Sequence, residues 1–282
     1  MIKLFVSDID GTLFPKPGGY TLDIGGIRDE DLAAFRALEA AGIRVAIASG
    51  RHHTFLAQFP KHPTLILPTV GFNGGYVYLD GEIIYQNPFT REEIRQMIRD
   101  FPEAASGFCG CTVQNTWVYN TLEDCRRFYF RGRGTRIGFE RIFPVSLEEY
   151  LADETNEPLA HVFFSLEPPH TVEEYEELIN EKYKDSNLRA VITSQRSVDF
   201  LRGEDNKATG ISILAHRLGI SMDEVAVVGD AHNDIAMFQA AGRSVCIQGA
   251  APEVLAAADT AVPDVAWAAR LVLEEQGEGA VG

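Results

Sequence analysis

The first ninety residues alternate short apolar runs with stretches whose apolar side chains recur at helical spacing, the pattern of a parallel sheet covered by helices. Residues 4 to 8 read as a buried strand. Residues 29 to 41 read as a helix: they begin with acids near the positive helix end and stop at Gly42, a good residue to follow a helix. Arg44 to Ala48 and Leu65 to Leu67 read as further strands. From residue 86 the pattern changes to a helix at 90 to 100, β-rich sequence at 112 to 119, a strand at 160 to 166, a helix at 171 to 183, and strands near 189 to 193 and 197 to 202. This mixture predicts an α+β insert with an antiparallel sheet. Alternation then resumes through a helix at 208 to 218, the strand Val225 to Val228, a helix at 233 to 241 and the strand Ser244 to Ile247. The expected fold is α/β: a Rossmann-like parallel-sheet core, residues 1–85 and 203–282, interrupted by an inserted α+β domain, residues 86–202. Pro15, Gly18 and Gly19 predict a flexible loop or small hairpin after Asp10, and the Gly-rich residues 276 to 282 predict a frayed tail.

Composition narrows the class of partner. The chain has 282 residues, 45% hydrophobic and 23% charged, with a formal net charge of −16. That charge argues against general affinity for nucleic acid or anionic membranes, which need a basic footprint. No apolar stretch approaches the roughly 20 residues that span a bilayer, and the opening Met-Ile-Lys-Leu-Phe carries no signal-peptide pattern, so a cytoplasmic protein is expected. Cys109, Cys111, Cys125 and Cys246 lack the paired spacing of a zinc site and are expected to be reduced thiols.

Four strand-end segments carry the candidate chemistry, since ligands of open α/β sheets bind at the carboxyl ends of the strands. The first, Asp8-Ile9-Asp10-Gly11-Thr12, sets two carboxylates two positions apart, on one face for as long as a strand continues. Carboxylates roughly 4 Å apart repel by about 4 kcal/mol at an effective dielectric of 20, so the pair points to a hard cation or to an acid/base partner. Asp-Gly-Thr is also ordinary turn chemistry. The second, Ser49-Gly50-Arg51, opens an expected helix where a hydroxyl and free N–H groups can hold a phosphate, although Ser-Gly is a common helix entry. The third, Lys207, follows the loop 203–206, where a lone lysine is usually a solvated surface residue. The fourth, Gly229-Asp230-Ala231-His232-Asn233-Asp234, offers oxygen ligands that suit Mg²⁺ far better than zinc, or a capped strand-to-helix turn. His232 reads as an exposed helix-start residue.

In this order and on these strand ends, the four segments closely resemble the haloacid dehalogenase superfamily of aspartate-nucleophile phosphotransferases. The resemblance covers essentially the whole chain. It implies that Asp8 attacks phosphorus, that Asp10 is the general acid/base, and that Ser49, Lys207 and Asp230 with Asp234 complete the motifs. Mg²⁺ is the implied cofactor, with Asp8, Asp10 through its carbonyl, Asp230 and Asp234 as the metal set. An insert between Ser49 and Lys207 resembles the type-two subclass B cap of the Cof-type phosphatases, and Asn73-Gly74-Gly75 is similar to an Asn-Gly segment near the active site of those proteins. Thr12, Gly50, Arg51, Asn73, Gly74 and Asn233 are the remaining candidates for substrate contact. One departure is Lys207-Ala208-Thr209-Gly210, where relatives often place Gly directly after the lysine.

The expectation is therefore a Mg²⁺-dependent phosphatase acting on small phosphomonoesters, sugar phosphates first, through an aspartyl phosphate. A phosphohexomutase and, more remotely, a non-catalytic phospho-receiver are the alternatives. No nucleic-acid or membrane partner is expected, and the assembly is a monomer or small homo-oligomer. Arg126, Arg127, Arg131, Arg133, Arg136 and Arg141 form a basic segment in the insert that could meet an anionic leaving group or be a solvated face. Trp117 and Tyr119 alternate on a strand and suit either sugar stacking or sheet core.

Overall fold

Short apolar strands alternating with helices build an α/β fold in which a largely parallel sheet is covered on both faces. The computed structural model describes residues 1–14, 27–58, 64–121, 123 and 143–279. The strands in chain order are β1 (Leu4–Ser7), β2 (Arg44–Ala48), β3 (Thr69–Gly71), β4 (Tyr76–Leu79), β5 (Glu82–Gln86), β6 (Phe108–Cys111), β7 (Thr116–Tyr119), β8 (Phe143–Ser146), β9 (His161–Ser165), β10 (Leu188–Ser194), β11 (Ser197–Arg202), β12 (Val225–Gly229), β13 (Arg243–Ile247) and β14 (Thr260–Val262). The first sheet has the order β14-β13-β12-β1-β2-β3-β4-β5. Pairing is parallel from β14 through β3 and turns antiparallel at β3–β4.

Alternation along β1 explains the two-sided burial. Phe5 joins a core with Phe35 and Leu38 of the helix Asp29–Ala40 and Ala268, Ala269 and Val272 of the helix Val265–Gly279. Leu4 and Val6 point the other way, toward Ile211 and Leu214 of the helix Lys207–Arg217 and Met237 and Phe238 of Ile235–Ala240. Both faces being covered, the strand reads as one continuous apolar run. The helix Asp29–Ala40 opens with three acids and closes at Gly42, whose φ of 82° lets Gly42 N donate to Glu39 O and Ile43 N to Leu38 O, both at 2.9 Å.

The chain separates into two units, Met1–Tyr85 with Asn206–Gly282, and Gln86–Asp205. In the second unit the sheet order is β10-β11-β9-β6-β7-β8, antiparallel except for the parallel pair β7–β8. One sheet face carries Phe108, Val162, Phe164 and Phe200 against Ile94 and Met97 of the helix Arg91–Asp100 and Tyr175 and Ile179 of Val172–Lys182. Residues 203–205 belong with this unit rather than with the core: Gly203 N donates to Asn187 O at 2.8 Å and Asn87 Nδ2 to Asp205 Oδ2 at 2.8 Å.

Several local expectations differ from the structure for identifiable reasons. Residues 65 to 67 are not a strand; the ladder begins at Thr69, after Pro68, which has no N–H to donate. Of the β-rich stretch 112 to 119 only Thr116–Tyr119 is strand; Thr112 to Asn115 form the turn before it, where Asn115 has φ 67°, and the cysteine cluster Cys109-Gly110-Cys111 lies in β6 as sheet interior. Cys109, Cys111 and Cys246 are buried free thiols. Helix continues to Gly279 where a frayed tail was expected, tied by Gln276 Nε2 to Ile2 O at 2.6 Å and by Glu275 to Arg243 at 2.7 Å. The loop with Pro15, Gly18 and Gly19, the arginines at 126 to 141, Cys125 and residues 280–282 lie outside the described residues. Among the described residues no helix is long and apolar enough to cross a membrane.

The helix Lys207–Arg217 packs closely on β3 at Gly210, where an added Cβ would run into Val70 Cγ1. Gly210→Ala is expected to destabilise the protein by about 1–3 kcal/mol through overpacking. Thermal denaturation of Gly210→Ala, with and without Val70→Ala, checks this: the single variant melts lower, and the second truncation restores part of the loss.

Candidate active site

The order β12-β1-β2-β3 sets the carboxyl ends of four parallel strands side by side, and every strand-end segment singled out in the sequence follows one of them or packs beside them. Strand β1 stops at Ser7, Asp8 N donates to Val228 O at 2.9 Å, and the chain then closes a turn through Leu13 N to Asp8 O and Phe14 N to Ile9 O. Gly11 has φ 99°, and a Cβ there would run into the Asp230 carboxylate. Because the strand ends before the two acids, Asp8 and Asp10 do not share a face. Asp8 is 4% exposed, whereas the Asp10 side chain is 49% exposed.

Each acid has its own cation. Arg51 grips Asp10 in a two-pronged pair, Nε to Oδ2 at 2.8 Å and Nη2 to Oδ1 at 2.9 Å. The Arg51 guanidinium also lies 4.7 Å above the Phe55 ring. Lys207 serves Asp8. It is 1% exposed, and its Nζ lies 2.7 Å from Asp8 Oδ1 and 2.6 Å from Asp234 Oδ1, so the solvated-lysine alternative is overturned. Burial pulls the lysine toward neutrality, but Asp234 and Asp8 outweigh it and hold the ammonium above the ordinary lysine range.

Asp234 positions the group around it. Its second oxygen accepts the N–H groups of Asp230 and Ala231, each at 2.9 Å, and Thr12 Oγ1 donates to Asp230 Oδ1 at 2.9 Å. Asp8, Asp230 and Asp234 are all buried, and one oxygen from each lies within 4.8 Å of the others. Three carboxylates against one ammonium leave this cluster net negative when all are ionised. Burial accordingly pushes Asp8 up to about 8, with Asp234, Asp230 and Asp10 adding to the rise and Lys207 opposing it. An all-oxygen, over-acidic, buried cluster fits a hard divalent cation such as Mg²⁺. Asp10 could join such a set through its backbone carbonyl, its carboxylate being engaged with Arg51.

Ser49 is buried at the end of β2, its N–H donating to Val70 O at 2.9 Å and its Oγ accepting from Arg51 N at 3.2 Å. No helix begins there. Residues 51–55 form turns that lead into a short 3₁₀ segment, Leu56–Gln58, because the Arg51 side chain is drawn to Asp10 and His53 N is taken by the Tyr76 hydroxyl at 2.7 Å. Asn73 and Asn233 meet at 3.2 Å, Nδ2 of Asn233 donating to Oδ1 of Asn73. His232 is exposed and pairs with Glu253 at 2.7 Å. Sequence reasoning missed the pairing of Arg51 with Asp10 and the Tyr76 brace, which join residues 41 and 23 positions apart. Asn206, the cap that opens the lysine helix by accepting from Thr209 N at 3.0 Å, did carry a local signal in the Asn-x-x-Thr spacing.

Replacing the lysine exposes the cost of the cluster. Lys207→Met leaves Asp8 and Asp234 buried without their ammonium and is expected to cost about 3–5 kcal/mol of stability. Urea denaturation reads the loss, and adding Asp234→Asn to Lys207→Met recovers part of it; equal stability of Lys207→Met and the parent chain would contradict the burial argument.

Comparison with known proteins gives the arrangement a lineage. The family model of haloacid dehalogenase-like hydrolases matches residues 5–266. Among curated proteins, the chain is 25% identical over 263 residues to the Escherichia coli 5-amino-6-(5-phospho-D-ribitylamino)uracil phosphatase YbjI, covering 91% of this chain and 89% of that one. It is also 25% identical over 254 residues to a phosphoglycolate phosphatase of Metallosphaera sedula, covering 90% and 89%. Among solved structures, the HAD subclass IIB sugar phosphatase BT4131 superposes with a TM-score of 0.73 at 23% identity, over 93% of this chain and 94% of that one. A Plasmodium vivax protein described as a HAD/COF-like hydrolase gives 0.81 at 22% identity, over 97% and 96%. The chain belongs to the haloacid dehalogenase-like hydrolase family and is a phosphoric monoester hydrolase.

Proposed function

We propose that this protein is a Mg²⁺-dependent phosphatase that hydrolyses small phosphomonoesters, sugar phosphates foremost, through a phosphoryl group carried on Asp8. The observation that carries the reading is the contrast between the two acids: Asp8 is buried and held by Lys207 at 2.7 Å, while Asp10, two residues on, is half-exposed and held by Arg51. A nucleophile must be aimed and shielded from water; a proton carrier must reach both the leaving group and solvent.

In the first step an Asp8 oxygen forms a bond to phosphorus as the bond to the leaving alkoxide breaks. Lys207 engages Oδ1, which directs attack to Oδ2. Asp10, turned from Arg51 to the leaving group and carrying a proton, gives that proton to the departing oxygen. In the second step the Asp10 carboxylate takes a proton from water, the water oxygen bonds to phosphorus, and the Asp8–phosphorus bond breaks to return free Asp8 and inorganic phosphate. Ser49 and Asn233 orient the phosphoryl oxygens, and Lys207 supplies fixed positive charge beside the transferring group. Mg²⁺ bound by Asp8, Asp230 and the Asp10 carbonyl would offset the repulsion between the Asp8 carboxylate and a phosphate dianion.

The activities of the relatives span a ribitylaminouracil phosphate, phosphoglycolate and sugar phosphates, a common chemistry with differing leaving groups. We assign the choice among leaving groups to the inserted unit, a cap outside the acid and lysine cluster. The aromatic pair on β7 does not bear on this choice: Tyr119 is fully buried with Cys109, and Trp117 and Phe163 pack on them, so the pair is sheet core, and the sugar-phosphate reading rests on the relatives.

Two outcomes test this. Asp8→Asn keeps the side chain's shape and is expected to lower kcat on any phosphomonoester by at least about a thousandfold, measured by phosphate release across a sugar-phosphate panel. A folded Asp8→Asn protein with substantial activity would sink the covalent route. Independently of turnover, Mg²⁺ at a hundred times its dissociation constant should raise stability by about 2.7 kcal/mol. Thermal shift reads this, and Asp230→Asn should erase it; a shift that survives the substitution puts the cation elsewhere.

A further inference from the structure

Three consecutive residues, Phe72, Asn73 and Gly74, hold positive φ values of 51°, 55° and 105°. This region is open to Gly and tolerated by Asn, but it is strained for a phenylalanine, and such strain persists only where the surroundings over-determine it. Phe72 is pinned by the Tyr76 ring, edge-on with centroids 4.9 Å apart. The turn does three things that an extended chain could not. Asn73 N donates to Ser49 O at 3.0 Å, and Asn73 Oδ1 accepts from Asn233 Nδ2 at 3.2 Å. Gly74, lacking a Cβ, lets in the carbonyl of Asn206, the residue that caps the helix of Lys207.

Asn73 is 2% exposed, and its amide lies against Gly50, where a Cβ would stand 3.3 Å from Nδ2. It therefore occupies the space between the Ser49–Gly50 turn and the Asn233 loop. These loops leave β2 and β12, and Asn73 itself follows β3. Strands β3 and β12 stand three places apart, about 14 Å, with β1 and its Asp8 between them. The two amide side chains join loops on opposite flanks of that strand.

We propose that Asn73 is a positioning residue: it sets the separation of the Ser49–Gly50 turn and the Asn233 loop, and so the width of the phosphoryl cradle, without itself holding substrate. The proposal rests on the phosphatase reading above, in which Ser49 and Asn233 orient the phosphoryl oxygens. Loosening the cradle weakens ground state and transition state together, so the loss falls on KM rather than kcat.

Asn73→Gly keeps the left-handed backbone and its N–H while deleting the amide; Asn233→Ala removes the same bond from the other side. Each is expected to lower kcat/KM for a sugar phosphate by about tenfold or more, through KM, Asn233→Ala the more because it also removes a phosphoryl contact, and the double variant loses clearly less than the product of the two. Asn73→Asp keeps the acceptor oxygen and tolerates the same backbone. In that background Asn233→Ala retains its full cost, whereas in the Asn73→Gly background it costs less, only the phosphoryl contact being left to lose. This Asp arm also carries the test should Asn73→Gly not fold. Calorimetric binding of inorganic phosphate with Mg²⁺ present should weaken in the same pattern. Losses that multiply in full in the double variant, or an Asn73→Gly protein indistinguishable from the parent, overturn the positioning role. If the parent chain neither binds phosphate nor releases it from any phosphomonoester, the phosphatase reading fails and takes this proposal with it; an active parent with independent variants removes the proposal alone.

Discussion

A lysine ammonium closed off from solvent between two carboxylates is the constraint on which the rest of this site depends. Lys207 Nζ reaches Asp8 at 2.7 Å and Asp234 at 2.6 Å, joining residues 199 and 27 positions away. Removing such a charge from water is expensive, and only close, well-oriented partners offset it. The partners are in turn held by backbone: Asp234 spends its second oxygen on the N–H groups of Asp230 and Ala231, which fixes the turn that carries Asp230. The cluster is thus rigid because each member satisfies another, and it remains over-supplied with negative charge.

The position of that lysine is electrostatically awkward by itself. It is the first residue of the helix Lys207–Arg217, at the end where the helix dipole is positive and an acid would be favoured. Asp8 and Asp234 reverse the local balance, and the Asn206 cap satisfies the helix start without adding charge. Close packing of Gly210 on Val70 seats the same helix against the sheet, so the lysine's reach is set by backbone packing as much as by its own side chain.

The division between Asp8 and Asp10 follows from where β1 stops. Had the strand run three residues further, the acids would have faced the same way and competed for one cation. The turn at Gly11 instead sends Asp8 inward to an ammonium and Asp10 outward to a guanidinium. On the proposed mechanism Asp8 is the shielded nucleophile, and Asp10, within reach of solvent, carries the proton once it parts from Arg51.

Local pattern in the chain was enough for the elements whose hydrogen bonds and burial are set within a few residues. Strands β1, β2 and β12 were legible as apolar runs, the helix Asp29–Ala40 as an amphipathic stretch with end signals, Lys207–Arg217 as a helical stretch, and Asp8, Lys207, Asp230 and Asp234 as polar residues at strand and helix ends. Residues 65 to 67 looked like a strand, but Pro68 moved the ladder on to Thr69; Cys109-Gly110-Cys111 looked like a cluster and is sheet interior, because its neighbours β7 and β9 come from elsewhere in the chain. The helix through Gly279 survives its glycines because Gln276 and Glu275 bond to Ile2 and Arg243. The same reason separates candidate residues from a working arrangement. That Arg51 holds Asp10, and that Asn73 meets Asn233 160 positions away, are facts of proximity which composition and periodicity do not encode, since only the folded sheet brings those strand ends together.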